Sequence, residues 1–408
     1  MSAHIGQRIR EMRKVRQLSV RQLASKVNVS VSLIEKIECG DRNPSPKLVA
    51  QLARALAVGP ERLTGQPYMN GAESEDPVQA VIPDLRRILI TYNSPDDLLT
   101  PARPLPVLTA EVEHVSRMRR DGHYGPMGPL LPGLIAELTH VALGAEEEQR
   151  RTAAFRQLAI GYRAVNSLAH KMGYHDMSLT AVERVQWAAD QSHDELMQAT
   201  AGYLRAGAMV RLGSYSSARR ILTGLIREVE RLAPEQSLPN AHMAVIGSML
   251  LKLAILEVRD GHLEQAQERL AEARWYAEML NGDMLCYETS FGPTNTRIHE
   301  VAVLIDSGDT EQALARLREW GQEQGRVEWE VPEGTVAERA SHHHIDVAAA
   351  KLAEGDRQGS YADLVRARQL SPTHTRFHPT VRHTAATLVR LDRRQADSVA
   401  GFARWAGV

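Results

Sequence analysis

A glycine that returns at a nearly constant interval constrains the fold of this 408-residue chain more than any other feature. It lies in the related segments LGSYSSA, DGHLEQA, SGDTEQA and EGDRQGS, which begin at positions 212, 260, 307 and 354. The glycines are 48, 47 and 47 residues apart, and a looser copy occurs at 172–176. Such a glycine can end one helix, a short polar residue can begin the next, and the small residue that follows lets the two helices approach. The period predicts stacked antiparallel helix pairs, and its regularity argues against chance recurrence in an alanine-rich chain.

The rest of the chain also has a helical pattern. Apolar residues recur at helical spacing nearly throughout, and no segment shows the sustained alternation of a strand. The stretch 66–80 is polar and acidic with Gly and Pro, which predicts a linker. We therefore expect an all-α protein with a five-helix domain at 1–65, the linker at 66–80 and an α-solenoid of helix pairs at 81–408.

Charge is distributed unevenly between these two parts. The formal net charge is −1, yet positions 1–65 contain twelve Lys and Arg against five Asp and Glu. A small basic unit joined to a large acidic one predicts that the basic unit meets a polyanion such as double-stranded DNA.

The sequence also favours a cytoplasmic location. Its two cysteines, Cys39 and Cys286, form neither a disulfide framework nor a metal-binding CxxC spacing. The N-terminal residues show no apolar stretch of the kind that a secretory leader has, and the sequence has no uninterrupted apolar run of about 18 residues. We expect a cytoplasmic, nucleoid-associated protein without a membrane segment.

Helix-start signals divide the basic segment into five short helices. Ser19, Ser30 and Ser45 each precede a helical run, as N-capping residues do. The predicted helices span 5–16, 20–27, 31–38, 46–56 and 60–63. The side chains expected to face inward from the first helix are Ile5, Ile9, Met12 and Val15. The tight joint between the second and third helices is typical of a helix-turn-helix, which places one helix in a DNA major groove.

The third predicted helix has two chemically different faces. Ile34 and Ile37 form its apolar side, so Val31, Ser32, Glu35 and Lys36 must lie outside. Ser32 and Lys36 can bond to base edges or phosphates, and Val31 can meet a thymine methyl group. The outer face is therefore the candidate surface for base contacts.

The segment from 18 to 65, LSVRQLASKVNVSVSLIEKIECGDRNPSPKLVAQLARALAVGPERLTG, resembles the phage-repressor-type (XRE) helix-turn-helix family. The resemblance covers essentially all of 5–65 and implies a lambda-repressor-like, DNA-binding domain. It implies that Val31, Ser32 and Lys36 contact bases, and that Val20 and Arg21 lie near the phosphate backbone. Ser30, at the start of the same helix, belongs to this DNA-binding set.

The same resemblance assigns further roles. Arg42 and Asn43 fall in the loop that approaches phosphate or the minor groove, and Arg13 and Glu38 match a buried ion pair that joins the first and third helices. The chain departs from the family at Cys39, where Asn is frequent, and at position 20, where Gln is common. Both departures remove side-chain hydrogen bonds to DNA. The alternative is a module that has lost DNA binding and serves assembly.

The large C-terminal part is similar to the tetratricopeptide-like arrays of a class of actinobacterial regulators. The segment SFGPTNTRIHEVAVLIDSGDTEQAL at 290–314 carries this similarity, although the repeat of about 47 residues is longer than the usual 34. The resemblance implies a concave surface for a small molecule or peptide. Asn295, Arg297 and His299 are the candidate ligand-binding residues, with His299 as a pH-sensitive donor. The alternative is that Asn295 caps a helix and His299 only packs.

Two groups of histidines have the residue types of a metal site. His342, His343 and His344 precede Asp346, but successive residues on a helix differ by about 100° and cannot converge on one ion. His374 and His378 form a second pair that lacks a third ligand. We expect no metal site and no cofactor. No catalytic motif appears either, so we expect no enzymatic activity.

The sequence favours a transcriptional regulator that binds an operator as a homodimer through helix 31–38. The repeat array would then supply dimerisation and ligand or peptide sensing. Two alternatives stay open, namely a helical-repeat scaffold for protein interactions and an antitoxin-type DNA binder whose toxin docks on the array.

Overall fold

The computed structural model describes residues 4–67, 77–233, 238–391 and 397–408. Within these ranges the chain is almost entirely α-helical, as the periodicity predicts. The N-terminal domain consists of five helices, which are α1 Ile5–Val15, α2 Val20–Lys26, α3 Val31–Glu38, α4 Pro46–Leu56 and α5 Pro60–Thr64. The rest of the described chain forms one extended helical body.

Local capping explains where the N-terminal helices begin. The Ser19 hydroxyl accepts from the backbone N–H of Gln22, whose side chain accepts from the Ser19 N–H, so the two form a capping box. The Ser30 and Ser45 hydroxyls cap α3 and α4 by accepting from the backbone N–H groups of Leu33 and Leu48. The helices enclose a core whose fully buried members include Ile9, Leu23, Ile34, Ile37, Leu52, Leu56 and Leu63.

The expectation that Val15 faces inward is wrong, because 67% of its surface is exposed. Ile5, Ile9 and Arg13 define the buried face of α1, and Val15, at the last position of the helix, lies off that face. An arginine therefore occupies an inner position that the apolar pattern could not indicate.

Four helices follow the N-terminal domain. They are α6 Pro77–Ile90, α7 Leu105–Arg120, α8 Tyr124–Met127 and α9 Leu131–Gly144, with a 3-10 turn at Gly128–Leu130. Because α6 begins at Pro77, the last four residues of the stretch predicted as linker are helical. These helices share one apolar core with the first helices of the array.

Five consecutive helix pairs form the array. They are α10 Glu148–Met172 with α11 His175–Ser192, α12 Glu195–Arg211 with α13 Tyr215–Arg231, α14 Asn240–Asp260 with α15 Leu263–Leu280, α16 Pro293–Ser307 with α17 Thr310–Glu323, and α18 Ala337–Ala353 with α19 Arg357–Leu370. The four periodic glycines lie at the turns inside the last four pairs, with φ of 73°, 95°, 93° and 87°. The small residues five positions later, Ala218, Ala266, Ala313 and Ser360, are completely buried. The prediction of stacked antiparallel helix pairs is confirmed.

One short hairpin interrupts the helices between α15 and α16, and the sequence pattern did not predict it. Strands β1 Met284–Cys286 and β2 Thr289–Phe291 pair antiparallel, and Tyr287 and Glu288 form the turn with positive φ. The ring of Phe291 packs on α14 at Gly247, where an added Cβ would lie 2.0 Å from the ring. Gly247 is therefore the residue that lets the hairpin lie against the array.

Three short helices complete the body, namely α20 Pro372–Phe377, α21 Pro379–Leu391 and α22 Asp397–Ala406. Of the described helices, α14 alone has the length and hydropathy of a membrane span, and 78% of that apolar stretch is buried inside the structure. Here α14 lies at the centre of the second apolar core.

Candidate nucleic-acid interface and ligand cleft

The outer face of α3 is open to solvent. Ile34 and Ile37 are buried, whereas Ser32, Glu35 and Lys36 are exposed in the presence of the whole described chain. Val31, at the first turn, has 37% of its surface exposed. The residues predicted to contact bases thus share one accessible face of an eight-residue helix.

A buried ion pair holds α3 against α1. Arg13 Nε lies 2.6 Å from Glu38 Oε1, and Arg13 Nη2 lies 2.8 Å from Glu38 Oε2. The two side chains are only 10% and 7% exposed, and the hydrogen bonds to Glu38 raise the pKa of Arg13. Arg13 also donates to the backbone oxygen of Leu18 over 2.8 Å. This bidentate geometry fixes the rotation of α3 about its own axis.

The remaining candidate DNA contacts surround α3. Arg21, Arg42 and Asn43 are exposed, while Val20 is half-buried against the core. Ser30 is exposed as well, but its hydroxyl accepts from the Leu33 N–H and so serves first as the N-cap of α3. These positions frame the accessible face with basic and amide groups.

The N-terminal domain also docks on the helical body, which the sequence did not indicate. Arg54 of α4 donates to the backbone oxygen of Gly213 over 2.5 Å, at the first of the periodic turns. On another side, Arg390 of α21 lies 3.9 Å from Asp41, two residues after the C-cap of α3. Both contacts join residues more than 150 positions apart, so no local pattern could predict them.

A narrow cleft in the array brings together two of the three candidate ligand-binding residues. Asn295 and His299 line it, and they lie one turn apart on α16. Asn295 Nδ2 donates to the Ser290 oxygen over 2.6 Å, and His299 Nδ1 donates to the Asn295 oxygen over 2.8 Å. The guanidinium of Arg297 lies instead over the ring of Trp320, 5.1 Å from its centroid. Arg297 therefore does not reach this cleft, because it projects from another side of α16.

The interpretation of His299 as a pH-sensitive donor is wrong for the pH range near neutrality. Burial and the nearby charge of Arg339 lower the pKa of His299 to about 3. The ring stays neutral under physiological conditions and donates to a backbone oxygen.

The most charged wall of the cleft is one that sequence reasoning missed. Glu288, at the tip of the hairpin, accepts from Ser116 Oγ over 2.5 Å and from Arg119 Nη2 over 2.8 Å. Arg163 donates to the backbone oxygen of Glu288 over 2.6 Å. Burial alone would raise the pKa of Glu288, but Arg119 and Arg163 outweigh it and hold the pKa at about 2. The hairpin thus places a carboxylate among arginines.

Some buried polar atoms on the walls of the cleft make no hydrogen bond within the described part of the chain. Among the described residues, four buried atoms on its walls have no hydrogen-bond partner, namely Arg119 Nε, Arg163 Nε, Ser248 Oγ and Asn295 Oδ1. Burial also lowers the pKa of Arg163 to about 10. Unpaired polar atoms in a buried site are costly, so such a wall suits a polar, acidic guest.

Comparison with known proteins gives four findings. The family model described as a helix-turn-helix domain matches residues 4–64. The uncharacterized HTH-type transcriptional regulator RghRB of Bacillus subtilis (strain 168) is 32% identical over 119 residues, which cover 28% of this chain and 80% of RghRB. Among solved structures, BtubC (BKLC) from P. vanneervenii has 17% sequence identity and a TM-score of 0.38, covering 59% of this chain and 90% of its own. PlcR of Bacillus thuringiensis, in complex with the peptide PapR7 and DNA, has 14% identity and a TM-score of 0.26, covering 69% and 96%.

Proposed function

The chain belongs to the helix-turn-helix transcriptional regulators, and from that premise we propose that it recognises a specific operator by inserting α3 into the major groove. The accessible outer face of α3 is the single observation that carries this proposal. The excess of seven positive charges in positions 1–65 supports it, because phosphate neutralisation supplies much of the affinity for DNA.

Each exposed residue then has a distinct task. Ser32 and Lys36 donate hydrogen bonds to base edges, and Val31 contacts a thymine methyl group. Arg21, Arg42 and Asn43 bond to phosphates and set the position of the domain on the duplex. The Arg13–Glu38 ion pair acts indirectly, because it holds the base-contacting face in a fixed orientation.

The operator is bound by a homodimer in this proposal, and the protein works in the cytoplasm on the nucleoid. A single eight-residue helix contacts only a few base pairs, too few to specify one site in a genome. Two copies reach two half-sites about 34–36 Å apart on one face of the duplex. The helical array supplies the contacts between the two copies.

The cleft beside the hairpin is the sensor of this regulator. Arg119 already binds the Glu288 carboxylate and Arg163 binds the Glu288 backbone oxygen, so a small acidic molecule or the carboxylate of a short peptide competes for the same guanidinium groups. The unpaired atoms of Ser248 and Asn295 give such a ligand further hydrogen bonds. Displacement of the hairpin is the structural change that would report ligand binding to the array.

A titration of the protein into fluorescently labelled genomic DNA fragments, with anisotropy as the readout, tests the proposed contact between α3 and DNA. Lys36→Ala is expected to weaken operator binding by roughly 5- to 150-fold, the cost of about 1–3 kcal/mol for one base contact. Lys14→Ala is the matched control, because it removes the same charge from an exposed position on α1. Only Lys36→Ala should reduce the preference for operator over random DNA. Equal losses in the two variants would contradict the proposed docking of α3.

A further inference from the structure

Three histidines from separate places in the chain meet inside the helical body. His342 lies on α18, His374 on α20, and His378 between α20 and α21. One ring nitrogen of each lies within 4.8 Å of those of the other two. The ring centroids are 5.1 to 5.6 Å apart. His342 and the pair His374 and His378, which look unrelated in the sequence, therefore form one cluster.

Each histidine of the cluster has a buried ring nitrogen that lacks a hydrogen-bond partner in the described chain. His342 Nδ1, His374 Nε2 and His378 Nδ1 are buried and have no hydrogen-bond partner among the described residues. His374 is only 1% exposed. A buried imidazole nitrogen without a partner is unfavourable, and three of them in one place are not explained by packing alone.

We propose that His342, His374 and His378 bind a divalent transition-metal ion, and that Zn²⁺ is the ion their chemistry suits best. Neutral imidazole nitrogens are preferred ligands of Zn²⁺, which takes three protein ligands and leaves a fourth position open in many sites. An imidazole with its ordinary pKa of about 6.5 is largely neutral above pH 7, so each ring can offer a lone pair to the ion.

Two carboxylates lie close to the histidines, and one of them stands behind its ring, as carboxylates do around many bound metals. Asp346 Oδ2 lies 3.7 Å from His342 Nε2, on the side of the ring away from Nδ1. Glu338 Oε1 lies 4.0 Å from His374 Nε2 and also binds Lys171. Glu338 is already paired with Lys171, so Asp346 is the acid that can offset the charge of an added cation. Metal–nitrogen bonds of about 2.0–2.1 Å require the nitrogens to approach to roughly 3.4 Å, a shift of about 1 Å.

A second group of possible ligands is less suitable. Glu257, Asp260 and His262 also bring their donor atoms within 4.8 Å of one another. Arg219, however, bonds to Glu257 over 2.7 Å and to Asp260 over 2.6 Å, so a cation already neutralises both acids. Among the described residues no cation bonds to the three unpartnered imidazole nitrogens, and the nearby Lys171 bonds to Glu338 instead.

The site lies where it can influence the N-terminal domain. His378 directly precedes α21, and Arg390 near the other end of that helix lies 3.9 Å from Asp41, just after α3. A metal bound to His378 would fix the start of a helix whose far end touches the DNA-binding domain. This consequence rests on the proposed function, whereas metal binding itself does not.

Titration of the metal-stripped, full-length protein with Co²⁺ and then Zn²⁺ tests the proposal without DNA. The expected result is one Co²⁺ per chain with the strong visible absorption of a tetrahedral nitrogen site, lost when Zn²⁺ is added. His342→Gln and His378→Gln should each lower the affinity by at least about tenfold. His344→Gln is the matched control, because this neighbour on α18 faces Asp363 instead, over 2.7 Å. Circular dichroism confirms that each variant is folded.

Two results would overturn the site: a wild-type chain that gives no tetrahedral Co²⁺ spectrum, or His342→Gln and His378→Gln variants that bind as tightly as His344→Gln. His342 is partly exposed, so its variant remains informative if His378→Gln fails to fold. A wild-type chain that binds the metal ion but no operator DNA would count against the proposed function only.

Discussion

The Arg13–Glu38 ion pair gives the sharpest prediction about the N-terminal domain. Glu38→Ala leaves the Arg13 guanidinium buried with only one strong partner, the Leu18 backbone oxygen at 2.8 Å. Removing one member of a buried pair costs about 3–5 kcal/mol. Because Arg13 keeps the Leu18 bond, we expect the lower end, about 3 kcal/mol. A domain of about 60 residues has only roughly 3–9 kcal/mol in total, so the loss is large.

Hydrogen exchange on the full-length protein measures this loss where it occurs. A cost of about 3 kcal/mol corresponds to a roughly hundredfold fall in the protection of the slowest amides in α1 and α3. Amides of α10, in the core of the array, serve as the internal reference. The double variant Arg13→Met with Glu38→Met should recover most of the protection, since it removes both charges together. Unchanged protection in Glu38→Ala, or a double variant as weak as the single one, would refute the reasoning.

Three further predictions follow from other parts of the structure. Burial and the neighbouring His344 hold the pKa of His343 at about 3. The unfolded chain therefore takes up a proton near pH 6.5 that the folded chain excludes, and the free energy of unfolding falls by about 2 kcal/mol for this ring between pH 6.5 and 5. In denaturant unfolding, the free energy of unfolding of His343→Leu should fall less steeply between pH 6.5 and 5 than that of the wild type. Identical pH dependence in the two proteins would count against this prediction. Cys39 is exposed at the end of α3, and burial raises the pKa of the Cys286 thiol, so Cys39 should react with a thiol reagent before Cys286. Operator DNA should slow the reaction of Cys39 only. Equal reaction rates for both thiols would contradict this prediction. Glu288→Gln should loosen the hairpin and speed chymotryptic cleavage after Tyr287 roughly 10- to 100-fold, from the loss of about 1.5–3 kcal/mol of charged hydrogen bonding. An unchanged cleavage rate would show that the carboxylate does not hold the hairpin.

The features that the sequence predicted are those governed by local rules. The periodic glycines at 213, 261, 308 and 355 mark helix ends because a left-handed residue is a local requirement, and the chain satisfies it at each turn. The capping serines are Ser19, Ser30 and Ser45. Each bonds to a backbone N–H only three residues later, so the sequence predicts these caps as well.

The features that escaped depend on distant parts of the chain. Each strand of the hairpin has only three residues, too few for an alternating pattern, and it is held by Phe291 against α14. The convergence of His342 with His374 and His378 follows from the packing of α18 on α20, about 30 positions apart in sequence. Arg297 could be placed on α16, but its contact with the ring of Trp320 could not be predicted, because that ring belongs to a neighbouring helix.

Selection of binding sites from random duplex DNA, run in parallel with the wild-type chain and with Ser32→Ala and Lys36→Ala, tests the role of the exposed α3 face most directly. The wild type should enrich one sequence with two related half-sites, and each variant should lose base preference at defined positions within both halves. Enrichment of no sequence by the wild type, or of an identical sequence by all three proteins, would contradict base recognition by α3.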